Sequence, residues 1–456
     1  MTRKSPSRLQ RDLAPVHPHA AAVDIGARMH VAAVSPRCDS EPVRTFGTFT
    51  GDLQRLADWF EQCRVATVAL ESTGVYWIPL YKILTQRGFA VVVVNAREVK
   101  QVPGRKTDVC DAQWLQRLHE YGLLRASFHP QGEIATLRSY LRQRERLLEA
   151  AAAHIQHMQK ALIQMNLQLQ HVVADITGQT GLRIIRAIVA GERDPDRLAA
   201  LRDGRCKTPL VTLRAALVGN DREEHVFALA QALELYEIYQ TKVAACDERI
   251  AAVLERLQAQ NPPPAALPLP RRAQPQANEP AVPVRAALHA ILGVDLTQID
   301  GIGPSLALKL VSECGTDLAA WPSAQHFTSW LGLAPHNKIS GGKVLSSRTR
   351  RSGSRVAALL RLAAGAVGRT QTALGAFYRR LAARVGKAKA ITATARKIAV
   401  LVYNTLSHGM AYADPGASYY EERYRQRVLS NLRRRAKSLG YVLEKAEPAS
   451  TAVVVS

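Results

Sequence analysis

Apolar positions in the first quarter of the chain come in short runs split by turn residues, the pattern of a sheet with helices laid over it. Residues 21–34 (AAVDIGARMHVAAV) predict a strand, a tight turn and a second strand, bounded by glycine and proline. A third strand is predicted over Arg44–Thr50. Asp52 then reads as the cap of a helix reaching about Arg64, with Leu53, Leu56, Trp59 and Phe60 on one face. Ala66–Leu70 predicts a buried strand ending at Glu71, and a helix follows over Tyr76–Arg87. The β-branched run Phe89–Val94 predicts a central strand covered on both faces. Helical periodicity returns over Thr107–Tyr121. Strands first, then alternating β and α, predict an α/β layered domain over 20–128, preceded by a disordered basic arm at 1–19.

The spacing then changes. Over 129–260, Leu137, Leu141, Leu147 and Leu148, then Met158, Leu162, Met165 and Leu169, recur at helical intervals. Residues 145–170 contain no proline or glycine. They predict long helices, either a coiled coil joining two copies or a helix pair within one chain. A second helical stretch is predicted over Glu224–Gln258, and 175–222 has no readable period. The prolines of 261–285 (NPPPAALPLP and beyond) predict a linker. A mostly α-helical domain is predicted over 286–412, followed by a basic tail at 413–456. Its opening, LTQIDGIGPSLALKLVSECG, reads as a helix-hairpin-helix. In that reading Gly301 and Gly303 offer backbone N–H groups to a phosphate; the alternative is an ordinary Gly-Pro turn.

Charge narrows the class. The 456 residues carry a net charge of +23, and from Gly341 to Lys445 there are 22 Lys/Arg against 4 Asp/Glu. So +18 of the +23 lies in that stretch, the footprint of a protein that binds phosphate backbones. Lys343, Arg348, Arg350, Arg351 and Arg355 are candidate backbone contacts there, and Arg105 and Lys106 in the first domain. The six cysteines have irregular spacing and no CxxC pair, which argues against a zinc site or a disulfide framework and fits a cytoplasmic protein. No run of about 18 apolar residues predicts a membrane span, and the basic N-terminus lacks the apolar stretch of a signal peptide.

Four acids stand out. Asp24 lies inside an apolar strand, Glu71 at a strand end, and Asp108 and Asp111 one helical turn apart. An acid in an apolar strand is costly unless it is paired or binds metal. Hard divalent cations take oxygen ligands, and a pair of such ions activates the attacking oxygen and stabilises the leaving one in phosphoryl transfer. Read singly, Asp108 is equally a helix cap and Glu71 a strand-end residue.

The elements VDIG, ALESTGVYW, VVVVNA and GRKTDVCDAQWLQRL resemble the DEDD transposases of the insertion-sequence one-ten/eleven-eleven family. A second stretch, IDGIGPSLALKLVSE and FTSWLGLAPHNKISGGK, resembles that family's C-terminal transposase domain. The resemblance implies a RuvC-like, ribonuclease-H-type N-terminal domain whose Asp24, Glu71, Asp108 and Asp111 bind divalent metal, with Mg2+ the expected ion. It implies that Ser340 of ISGGK is the nucleophile that links covalently to DNA, with Gly341 and Gly342 letting backbone approach a phosphate. It further implies double-stranded DNA as substrate, a structured noncoding guide RNA encoded by the element, and a homo-oligomer from dimer to tetramer. The chain departs from the family where a Gly-Asn or Gly-Asp and a Leu-Arg pair usually follow. It has Gly353-Ser354 and Ala358 there, with Arg355 and Arg361 nearby. Two rivals stay open on sequence alone: a RuvC-like junction nuclease using activated water, and a nucleic-acid-binding protein without catalysis. A tyrosine nucleophile, Tyr419 or Tyr420, has no motif in support.

Overall fold

The structure, a computed structural model, describes residues 14–71, 74–95, 111–261, 266–270 and 278–444. The chain forms two compact units, 1–129 and 130–456.

The first unit is built on one sheet: β1 (Ala20–Ile25), β2 (Met29–Ala33), β3 (Val43–Gly47), β4 (Thr67–Glu71) and β5 (Ala90–Val94), in the order β3-β2-β1-β4-β5. β1, β2 and β3 pair antiparallel, whereas β4 runs parallel to β1 and β5 parallel to β4. α1 (Thr50–Gln62) and α2 (Trp77–Gln86) cover one face, burying Leu53, Leu56, Phe60, Leu80 and Leu84 against Val23, Val68 and Leu70. α3 (Asp111–Glu120) covers the other, with Leu115 and Leu118 on Ala22, Ala69 and Val94. Alternation along β1 therefore sends Val23 and Ile25 one way and Ala22 and Asp24 the other. The small alanines on the second face leave room for α3.

Two local expectations are corrected. The valine run of β5 occupies an edge among the described strands, pairing only with β4. A continuous apolar run reports burial of both faces and is silent on how many neighbours a strand has. Asp52 sits in the third position of α1, after Phe49 at the cap, and its Oδ2 accepts from the Phe49 N–H at 3.1 Å. The start of the Thr107–Tyr121 helix lies outside the described residues.

α3 is anchored by polar contacts at its far end. Gln116 Nε2 donates to Ala20 O at 3.1 Å. The Thr67 hydroxyl donates to Ala90 O at 2.9 Å, so its oxygen accepts from His119 Nε2, also at 2.9 Å. His119 is 3% exposed, and burial, then the neighbouring His17, pull its pKa down to about 4. A histidine held neutral this way stabilises the fold fully above the unfolded value near 6.5 and loses that contribution as pH falls towards 4. The shift corresponds to about 3 kcal/mol. Denaturant titrations at pH 7.5 and 4.5 should show this loss in the wild type and a much smaller one in His119→Gln; equal losses would refute it.

In the second unit α4 (Gly132–Gln164) and α9 (Glu223–Ala259) pack antiparallel along their length. The apolar stripe read at 135–170 is thus partnered within the chain, the second of the two sequence alternatives. Arg144 and Asp247, both buried, pair at 2.5 Å inside this hairpin, and Arg144 also donates to Asn278 O at 2.9 Å. Four short helices, α5 (Leu169–Val172), α6 (Gln179–Val189), α7 (Pro195–Ala200) and α8 (Leu210–Ala216), close the hairpin tip around Met158, Leu162, Ile184 and Leu229. α6, α7 and α8 fall in the stretch whose period was unreadable, where three helices of 11, 6 and 7 residues are separated by loops.

α10 (Val284–Leu292), a 3-10 turn (Leu296–Gln298) and α11 (Pro304–Cys314) follow. Arg142 on α4 grips Glu313 on α11 through two hydrogen bonds of 2.9 and 2.8 Å. The helical middle and the C-terminal helices therefore share one unit, where the sequence predicted two domains. The remaining elements are α12 (Ala324–Trp330), β6 (Lys338–Ser340), β7 (Lys343–Ser346), α13 (Arg355–Val367), α14 (Ala373–Val385), α15 (Lys387–His408) and α16 (Gly416–Ser438). Much of the basic tail is thus a 23-residue helix. It docks on α14 through Phe377 against Tyr420 and Arg380 over Tyr424. No helix among the described residues is long and apolar enough to cross a membrane.

Candidate active site

β1 and β4 are aligned so that Val23 lies beside Leu70. One residue further on, Asp24 is level with Glu71 on the neighbouring strand, ~4.8 Å away in the backbone. Their side chains leave the sheet on the face that α3 covers. α3 runs against β1: Gln116 and His119 reach the starts of β1 and β4. Asp111, the first described residue of α3, therefore lies towards the strand ends that carry Asp24 and Glu71. Asp24 and Glu71 are half-buried and Asp111 is exposed. Asp108, Arg105 and Lys106 fall outside the described residues.

The donor set is all carboxylate, which suits a hard cation. Among the described residues no three such side chains gather closely enough to hold an ion. Three of the four acids thus share one end of the unit without forming a closed coordination shell by themselves.

Sequence reasoning missed His30. It is 2% exposed on β2, opposite Ile25, and its Nδ1 has no hydrogen-bond partner among the described residues. Burial holds its pKa below the ordinary value, offset in part by the Met29 backbone and by the negative charge of Asp24. A histidine within the apolar run MHVAAV was the available signal.

Ser340 stands at the tip of a hairpin. β6 and β7 pair Ser340 with Lys343, and the two residues between are Gly341 (φ +53°) and Gly342 (φ +74°). A two-residue turn with positive φ at both positions is the one that matches strand twist, and it favours glycine. The glycine pair therefore has a local cause, to fold the chain so that Ser340 ends an exposed strand. Nothing would meet a Cβ at either glycine within 4 Å, so backbone there is open to a large ligand. His336 lies at the hairpin's foot, its N–H on Arg348 O at 3.1 Å. Four residues of strand, ~13 Å, separate it from Ser340, too far for it to take the serine proton.

Of the expected cations, Lys343, Arg348, Arg350 and Arg351 are exposed and make no ion pair among the described residues. Arg355 differs: it pairs with Glu145 and lies 3.6 Å from Glu313, tying α13 to α4 and α11. These ion pairs give it a structural role as well. Gly301 has φ +86°, and a Cβ there would come within 2.5 Å of Val367, so glycine is required for packing on α13. Gly303 caps α11, with Pro304 in its first turn. The helix preceding this hairpin is reduced to a 3-10 turn. Tyr420 packs against Phe377, and burial raises its pKa, which weakens it as a nucleophile.

Two family models match the chain. One, a DEDD transposase of the IS110 type, covers residues 21–167, which take in the sheet, Asp24, Glu71, Asp108 and Asp111. The other, the transposase IS116/IS110/IS902 family, covers 295–379, from the 3-10 turn through the Ser340 hairpin into α14. No curated protein matches the chain.

Proposed function

Because this chain belongs to the IS110 family of transposases, enzymes that cut and rejoin DNA, we propose that it does so with a composite site of Ser340 and the carboxylates Asp24, Glu71, Asp108 and Asp111. The observation that carries this reading is the placement of Asp24 level with Glu71 at the strand ends, at the same end as Asp111. The sheet order, with its antiparallel first three strands and parallel last two, agrees with a RuvC-like domain of ribonuclease-H type.

Membership of a DEDD family carries dependence on a divalent metal; Mg2+ fits an all-oxygen set and is our choice. When bound, the ion supplies Lewis-acid stabilisation of the phosphate. The chain's own part is as follows. The Ser340 hydroxyl attacks a DNA phosphorus, an O–P bond forms, and the bond to the deoxyribose oxygen breaks. The proton lost by serine is balanced by the one taken up by the leaving hydroxyl. A hydroxyl of a second strand then attacks the phosphoserine and frees Ser340. One phosphodiester is broken and one made, so no nucleotide cofactor is needed. Lys343, Arg348, Arg350 and Arg351 hold strand backbones near the hairpin. An element-encoded guide RNA reads sequence by pairing in this scheme. Cationic charge with only 6% aromatic residues suits a protein that grips backbones. Assembly as a dimer or tetramer would let one protomer's serine serve another's carboxylates.

The test is metal removal. With EDTA, strand joining on DNA carrying the element ends should stop while duplex binding persists, and Mg2+ should restore joining. Joining that continues in EDTA would sink the composite site.

A further inference from the structure

A groove of about 1230 Å³ lies between α14, α15 and the start of α16, at the foot of the serine hairpin. Arg348, Lys389, Arg396 and Lys397 line it, and no carboxylate among the described residues does. Phe377 and Tyr420 supply an aromatic wall, edge to face at 6.2 Å, and the Lys397 ammonium sits 4.0 Å from the Phe377 ring centre. The volume exceeds the ~300–1,000 Å³ of sites for small ligands, which favours a stretch of polymer. An all-cationic rim selects a polyanion. A duplex hides the faces of its bases and needs only the cations; aromatic and apolar walls become useful when bases are unstacked.

We propose that this groove binds unpaired nucleotides of a single strand, with phosphates on Arg348, Lys389 and Arg396 and a base against the Phe377–Tyr420 wall. Its distance from the serine gives the site a place in the reaction. Ser340 pairs with Lys343 at the hairpin tip, whereas Ser347 and Arg348 line the groove. The four residues from Lys343 to Ser347 span ~13 Å of strand, the length of about four stacked nucleotides at ~3.4 Å each. The groove would thus hold the strand that flanks the phosphate addressed by Ser340. That placement rests on the serine reading; binding in the groove does not.

The experiment measures anisotropy of full-length protein with labelled short oligo(dT), oligo(rU) and a duplex of equal length, across a salt series. The double variant Lys389→Gln, Arg396→Gln should lose about tenfold in single-strand affinity, with a salt slope smaller by about 1.4 for two phosphates. Its duplex affinity should stay within about twofold. Phe377→Leu, which keeps an apolar side chain against α16, should weaken single-strand binding about three- to tenfold with the slope unchanged. Ser340→Ala should bind single strands as the wild type does, so failure of the serine reading leaves this result standing. An iodouridine strand should crosslink to wild-type peptides within 333–335, 347–349, 373–401 or 412–420, a readout that needs no variant to fold. Tighter binding of dT or of rU names the occupant as DNA or RNA, and either supports the groove. Equal losses on duplex and single strand, no loss at all, or crosslinks confined elsewhere would overturn it.

Discussion

Ser340→Ala should reduce strand joining by on the order of 10³-fold or more, the scale of removing a covalent nucleophile, while duplex binding stays within about twofold. The hydroxyl is the only part removed, and it lies at the end of an exposed strand. The hairpin owes its shape to Gly341 and Gly342 at positive φ, so alanine at position 340 leaves the turn intact. Lost joining therefore cannot be laid to a collapsed hairpin. The hairpin holds no carboxylate, and its histidine, His336, lies at the foot. The proposed composite site therefore assigns activation of the serine to the carboxylates of the first unit. Joining and binding assays on the same preparation check this; joining within tenfold of wild type would remove Ser340 from the chemistry.

Asp24→Asn should cut joining by a similar order, since several kcal/mol of metal-supplied stabilisation are at stake and each ~1.4 kcal/mol is tenfold in rate. It should also have an unusual signature in stability. Asp24 is half-buried in an otherwise buried strand, where a bound cation would offset its charge. Mg2+ should raise the melting temperature of the wild type and not of the variant, because an ion stabilises only the state that binds it. A purely structural Asp24 predicts a lower melting temperature with and without Mg2+, with joining retained. A thermal scan with and without Mg2+ separates the two.

These contrasts also show what could be read from sequence. Asp24 was legible because a charge inside AAAVDI contradicts its surroundings, and Glu71 because it ends an apolar strand. Their alignment is a fact of register, and strand pairing is a long-range property that periodicity does not carry. For the same reason the valines of β5 passed for a central strand. Ser340 was opaque from below: it is one of several serines in a basic loop, and only resemblance to a family singled it out. What the structure adds is a cause for the glycines beside it. Gly301, read from sequence as phosphate-binding, has a packing reason too, since a Cβ there would meet Val367. The groove at Phe377 was invisible because its lining is spread over residues 333–420, brought together by the packing of α14, α15 and α16.

In the proposed reaction a serine, and not water, attacks DNA at a carboxylate–metal site. A suicide substrate nicked beside the cleavage position should leave a covalent protein–DNA adduct with Mg2+ and none in EDTA. Peptide mapping of that adduct should place the DNA on Ser340, and Ser340→Ala should form none. Cleaved DNA with no adduct, its new phosphate carrying oxygen-18 from labelled water, would contradict the account.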